Sequence, residues 1–474
     1  MKYDYIVLGG GLAGLAFAYK VSSKGKSVLV LEKENKIGGL SRSIKYKGFE
    51  FDFCAHRFHS GNKELLKEIL TIVPSFKKHI KKSRIYIFGR YLKYPFELPN
   101  LFRAMNPIKT ALASFSFCYN YLFRNLNKNN KNIRTYKQWF TYYFGSELYK
   151  VMCHPYTSKI WKTNPANLSA DWADQRLQGI NIRQLINKTL RKIIRLDFSS
   201  YSLDDEGLAP DGGIFYYDEC GIQILPDSFQ KEIIKNGSEV LTGVDIKKVK
   251  GKKLEVEYKL NGRLYKDSAK NAVITTIPLH SYYNLLDNKS EKIEKDLNGL
   301  KYMDIIFVYL ILNKKKVSND HWLYFADNNI IFNRSVEFKN WSKKMAPEDK
   351  TAICLDITCF EGDKTWKRKE KEIVRDCIDA GEKTKLFDKQ EVIDSKVIRI
   401  KNAYPFYDLD YKKKLRDVVE FIEKSKRVFC LGRTGLFKYN NADNSIEMGF
   451  ELAKNILNGE NKSLFDYKIR KASY

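Results

Sequence analysis

At 474 residues, 43% hydrophobic and 14% aromatic, the chain can bury the cores of two or three domains. A formal charge of +28 invites an anionic partner, but lysine is spread along the whole length. No zinc finger or aromatic RNA-binding motif accompanies it, which excludes nucleic acid as the expected partner. No run reaches the ~18 uninterrupted apolar residues of a membrane span. None of the eight cysteines forms a Cys-x-x-Cys pair, which excludes a zinc ribbon and a dithiol redox motif.

In chain order, MKYDYIVLGGG enters a strand-like run with no apolar signal core before it, and a cytoplasmic protein is the expectation. YDYIVLGG, then the helix-like GLAGLAFAYKVSSKG, then SVLVLEKE make one βαβ unit of dinucleotide-fold size. FDFCAHRFHS (51–60) gathers Asp52, Cys54, His56 and His59, each able to ligate zinc, but the spacing resembles neither half of a zinc finger. No metal is expected. Periodicity makes 61–205 mainly helical, with a looped stretch around 126–136. Residues 253–278 read as a hairpin turning at Asn261-Gly262, then a buried strand. Further strands are expected at 303–312, 330–338, 352–360 and 427–432, and a last helix from about 444.

This order predicts an α/β plus α+β protein whose Rossmann-like nucleotide-binding domain is discontinuous. Its segments are 1–60, 206–280 (with the hairpin) and 416–474. A mainly helical domain (61–205) and an antiparallel-sheet substrate domain (281–415) interrupt it.

Gly9-x-Gly11-x-x-Gly14 lies between the first strand and helix. The first glycine makes the turn, the second admits pyrophosphate and the third lets helix and strand pack. Glu32 ends the second strand, placed for ribose hydroxyls. After it, KENKIGGLSRS resembles the extended fingerprint of FAD proteins in the amine oxidase and UDP-galactopyranose mutase superfamily, and VITTIP (273–278) resembles that superfamily's recurring strand near FAD.

Later motifs resemble the mutase branch. They are CAHRFHS with Cys54 for glycine, YPFELP (94–99) with Glu97 for asparagine, YTSKIW (156–161), LSADWADQR with Arg176, NNIIFNRSVEFKNW with Arg334, and GRTGLFKYNNADNSI with Arg433, Tyr439 and Asn441. AYPFYD (403–408) resembles the family's tyrosine-bearing loop only loosely, and Asn441 replaces an aspartate, so the sugar need not be galactose.

The resemblance implies FAD, active in its reduced form, held by Gly9, Gly11, Leu12, Ala13, Gly14, Glu32, Lys33, Gly39, Leu40, Ser41, His59, Arg433, Asn441 and Ser445. It implies His59 facing the isoalloxazine and His56 as a hydrogen-bonded core residue. It implies a mutase that interconverts pyranose and furanose forms of a UDP- or dTDP-hexose for surface polysaccharide, with flavin N5 as nucleophile. Arg176 and Arg334 would grip the diphosphate bidentately. Tyr156, Tyr439, Asn441 and Tyr217 would assist in binding, and Trp161 is either a wall beside the sugar or a core tryptophan at a helix end. Two other readings stay open: an oxidoreductase of the amine oxidase or protoporphyrinogen oxidase type, and a non-catalytic FAD-binding partner in glycan assembly. A homodimer and a peripheral membrane contact at the inner face are likewise open.

Overall fold

The Lys2–Leu8 strand is buried from Tyr5 onward because it lies inside a seven-stranded sheet. A computed structural model describes residues 2–53, 55–94, 101, 104–123, 133–176 and 213–467, with backbone alone at 174–176. The sheet runs Asp245–Lys250, Glu255–Leu260, Arg263–Thr275, Lys2–Leu8, Val28–Leu31, Glu239–Leu241, and Val428–Cys430 lies parallel beside Arg263–Thr275. The strands around the first βαβ unit are parallel, as a dinucleotide fold requires. The Asn261-Gly262 hairpin forms with φ of 49° and 80°, the left-handed pair that a two-residue turn of this kind needs. Strands from three distant stretches of chain thus close one sheet, as the discontinuous reading expects.

The second sheet, also of seven strands, runs Val392–Pro405, Tyr302–Leu312, Thr351–Cys359, Arg334–Val336, Trp322–Phe325, Ser83–Ile87, Arg90–Lys93. All eleven residues of Tyr302–Leu312 are buried, which suits a continuous apolar run at an inner position. The five strands supplied by 281–415 pair antiparallel with one another, as expected. The sheet becomes mixed where Trp322–Phe325 pairs in parallel with Ser83–Ile87, a strand from outside that stretch. One expectation is corrected here: 61–205 is not helical throughout, since after the helix Lys63–Ile72 it supplies three strands between Lys77 and Lys93, two of them to this sheet. The expected strand over 330–338 shortens to Arg334–Val336.

Helices then join the two sheets. Leu12–Ser22 packs closely along Ala442–Leu457 at the far end of the sequence. Gly449 permits this, since a methyl there would stand 2.5 Å from the Ala13 carbonyl oxygen. His154–Trp161 lies over the second sheet. The Lys159 ammonium is buried and donates to the carbonyls of Phe325 (2.7 Å), Phe332 (2.7 Å) and Asp327 (3.2 Å). Burial draws its pKa down, to about 7. The three carbonyls oppose that pull, because only the ammonium form has three N–H bonds to give.

Candidate active site

Two features define the site: a glycine cradle and an aromatic pocket. At the cradle, Gly9 has φ of 103°, a conformation glycine adopts without strain. A Cβ on Gly14 would lie 2.6 Å from the Gly9 carbonyl oxygen, whereas one on Gly11 would meet nothing within 4 Å. So Gly14 is needed for packing, and Gly11 faces open space. The second glycine pair closes against the first: Gly38 donates to the Gly10 carbonyl at 2.8 Å, and Gly11 bridges Gly38. The Glu32 carboxylate accepts from the Gly10 N–H at 2.6 Å and the Glu34 N–H at 2.9 Å. Two glycine edges around open space, with a buried carboxylate at the strand end, fit a dinucleotide such as FAD. Leu12, Ala13 and Ser41 are buried around this cradle, Gly39 and Leu40 are half-buried, and Lys33 is exposed.

The pocket is lined by Tyr156, Trp161, Trp172, Tyr324, Asn333, Arg334, Asp356, Tyr404 and Tyr439, together with Met303 and Ile305. The Tyr404 and Tyr439 rings stack at 5.3 Å, and Arg433 lies over Tyr404 at 5.0 Å. Trp161 and Trp172 meet edge to face at 5.5 Å. Asp356 accepts from Arg334 Nε at 2.9 Å and Nη2 at 2.8 Å, an arrangement that the pairing of their strands makes local. Among the described residues the indole N–H groups of Trp161 and Trp172 and the Asn333 carboxamide oxygen are buried without a hydrogen-bond partner. Cradle and pocket adjoin through consecutive residues: a Cβ on Gly432 would stand 2.8 Å from the Ala13 methyl, while Arg433 reaches the pocket tyrosines.

Of the residues expected at the site, Tyr156, Trp161, Arg334 and Tyr439 come together in this pocket, with Arg433 behind it. Other expected residues sit elsewhere. Tyr217 is fully buried and donates to Asp52 at 2.5 Å, so the expected phosphate contact is replaced by a core bond. Asn441 is the N-cap of Ala442–Leu457, exchanging hydrogen bonds with Asn444, and the Ser445 hydroxyl donates back to the Asn441 carbonyl at 3.0 Å. The lining includes neither histidine, His56 or His59, nor Tyr217 among the described residues. Cys54, residues 95–99 of YPFELP and the Arg176 side chain lie outside the described residues.

His56 is the histidine near the pocket. Its burial, with the Arg433 and Arg334 guanidiniums nearby, pushes its pKa down to about 3. Its Nδ1 meets the Phe53 carbonyl, which can only accept, so the proton sits on Nδ1 and Nε2 is the acceptor. Asp52 has a different role. Its carboxylate is fully buried and accepts from Ser43 (2.5 Å), Tyr217 and the Ile222 N–H (3.3 Å), while burial raises its pKa to about 7. The acid of FDFCAHRFHS thus anchors the core, and His56 is the histidine that Arg433 and Arg334 flank.

An effect on stability follows from His56. Unfolded, it takes up a proton below about pH 6.5; folded, it does so only near 3. The unfolded chain therefore binds the extra proton, and its contribution to stability should fall as pH drops through that window. Urea unfolding of wild type and His56→Gln at pH 7 and pH 5 is expected to show a loss larger by about 1 kcal/mol or more in wild type.

Sequence reasoning missed Asp356, Asn333, Trp172, Tyr404 and Lys159. One signal was present for Asp356: it is the single charged residue in the apolar run AICLDITCF.

Cradle and pocket together define a flavin-type dinucleotide fold carrying an adjoining polar-aromatic cavity. Residues 7–72 match the model of the NAD(P)-binding Rossmann-like domain. Over its whole length the chain superimposes on a crystal structure of reduced UDP-galactopyranose mutase, with a TM-score of 0.84 and 18% identity, covering 97% of that chain. It is 30% identical over 122 residues to the UDP-galactopyranose mutase of Mycoplasma pneumoniae, which is 24% of this chain and 30% of that protein. It is 33% identical over 107 residues to a probable flavin-containing monoamine oxidase A of Dictyostelium discoideum, which is 22% of this chain and 23% of that one. The chain thus spans less than a third of these curated relatives. It has the fold that UDP-galactopyranose mutases share with the amine oxidase-like flavoproteins, as the motifs led us to expect.

Proposed function

We propose that the chain is a flavin-dependent nucleotide-sugar mutase that interconverts pyranose and furanose forms of a nucleoside-diphosphate hexose. One observation carries this reading. The Arg334 guanidinium, held by Asp356, lines one pocket together with Tyr156, Tyr439, Asn333 and Thr358. A nucleoside-diphosphate sugar brings phosphate and hydroxyl oxygens to such a lining, whereas an amine substrate brings no anion to that guanidinium.

In this reading the reaction breaks the C1–O bond to the diphosphate, opens the ring and closes it again through O4. A reduced flavin in the cradle would supply the nucleophilic nitrogen that holds C1 in between. The protein's share is placement. Asp356 fixes the plane of the Arg334 guanidinium, whose charge would hold the departing diphosphate for recapture. Tyr156 and Tyr439 would donate to the same oxygens. Neutral His56, with an acceptor nitrogen, could receive a hydroxyl hydrogen bond. Arg176 is proposed as the second diphosphate ligand on its motif alone.

The test is an anaerobic assay of reduced and oxidised enzyme against UDP- and dTDP-hexopyranoses and furanoses. Interconversion by the reduced form only supports the reading. Bleaching of oxidised flavin by an amine or porphyrinogen, with no rearrangement of any nucleotide sugar, overturns it in favour of the oxidoreductase.

A further inference from the structure

The helix Pro107–Phe123 buries Ala113 and Phe117 against the helical layer that includes Leu148. Its opposite face carries Ile108, Leu112, Phe115, Tyr119 and Leu122, spaced four, three, four and three residues apart, and all stand in solvent. Phe115 and Ile108 are 72% and 71% exposed. One aliphatic or aromatic side chain per turn along a whole helix is a contiguous apolar stripe, unlike the scattered exposed leucines of an ordinary surface. The helix contains no acid, and Lys109 is its single charge.

The surrounding sequence is strongly basic, although Lys77 and Arg84 pair with Glu219 and Asp320 from elsewhere in the fold. Between Glu68 and Glu147 the chain carries fourteen Lys and Arg residues, and its one acid is Glu97. The hairpin of Ser83–Ile87 and Arg90–Lys93 belongs to this stretch. It touches the helical layer through Phe88 and Leu92, and Arg90 and Lys93 are exposed. The helix Tyr136–Phe144, which packs on Pro107–Phe123, begins with exposed Lys137.

We propose that this face docks on an anionic phospholipid surface, with the Pro107–Phe123 stripe lying in the headgroup plane and the basic stretch around it meeting lipid phosphates. An apolar helix face and a polybasic surround are the two signals that together hold a protein at a bilayer. A second copy of the chain suits the stripe less well. Two bodies of charge +28 repel, and the positions flanking the stripe are chiefly Ala111, Ser116 and Cys118, which offer no opposite charges to pair. No helix among the described residues is long and apolar enough to cross a membrane, so the contact is one of lying on the surface.

The test is co-sedimentation of the full chain with phosphatidylcholine vesicles, with and without phosphatidylglycerol, at low and high salt. Binding is expected with phosphatidylglycerol only, weakening as salt rises. Leu112→Glu/Phe115→Glu is expected to lower the partition at least about tenfold with its thermal midpoint unchanged. Should that variant fail to fold, Phe115→Trp provides the readout: its added emission is expected to shift to the blue with phosphatidylglycerol vesicles and not with phosphatidylcholine alone. Absence of binding, or full binding by the folded double variant, overturns the proposal. So does a wild-type dimer that the same substitutions split while vesicles bind neither protein, which would assign the stripe to a second copy.

Discussion

Gly11→Ala protein is expected to fold as the wild type does and to purify without flavin. The position is the helix N-cap, with φ of −76° and ψ of 169°, which alanine adopts freely, and its Cβ would meet nothing within 4 Å. The added methyl therefore costs the ligand-free protein at most about 1 kcal/mol, mainly through poorer capping. In the holoprotein it would stand where pyrophosphate passes close to the backbone, and an overpacking cost of about 1–3 kcal/mol becomes a roughly fivefold to 150-fold loss of affinity. Gly14→Ala separates the two effects. Its methyl would press the Gly9 carbonyl at 2.6 Å and the Val7 side chain at 2.9 Å, so stability and flavin are expected to fall together. Flavin absorbance of the purified proteins and their thermal midpoints give both readings. A Gly11→Ala protein as yellow as wild type would mean that no pyrophosphate crosses this edge.

The same contrast shows what the sequence could reveal. The cradle was legible because its constraints are local: a turn, a close approach and an acid twenty-odd residues on all lie within one βαβ unit. The Asn261-Gly262 hairpin was legible because two left-handed residues in a row have few spellings. The Ser83–Lys93 hairpin turns at Phe88 and Gly89, with φ of 55° and 73°, and phenylalanine is a rare choice there. Its strands are five and four residues long, too short for alternation to stand out among helical neighbours. Val392–Pro405 was hidden for another reason. It is an edge strand, mostly half-buried and with Ile393, Lys396 and Lys401 exposed, so VIDSKVIRIKNAYP carries charges through its middle.

At the site, residues named by motif were found together where the motif lay on one element, as with Tyr156 and Trp161 on a single helix. What the sequence could not show was partnership. Asp356 faces Arg334 because their strands pair, and nothing in either segment announces that register. His56 and His59 differ by three residues with similar neighbours, and only the approach of Gly432–Gly435 and the second sheet decides which one the arginines flank.

That unannounced partnership sets the second large effect. Arg334→Ala alone is expected to cost about 3 kcal/mol of stability, because it leaves the Asp356 carboxylate, 7% exposed, without its guanidinium. A loss of activity in that variant would therefore not by itself identify a diphosphate ligand. Arg334→Met/Asp356→Leu removes both charges at nearly constant volume, and its urea midpoint is expected to return to within about 1 kcal/mol of wild type. Binding of a nucleotide sugar should not return with it. If Arg334 holds the diphosphate, affinity stays at least about tenfold down in the single and the double variant alike, since a charge-assisted hydrogen bond to phosphate is lost in each. If the pair only braces the two strands, the double variant recovers binding along with stability. The cycle thus separates an arginine that grips a substrate from one that neutralises a buried acid, and the mutase reading requires the first.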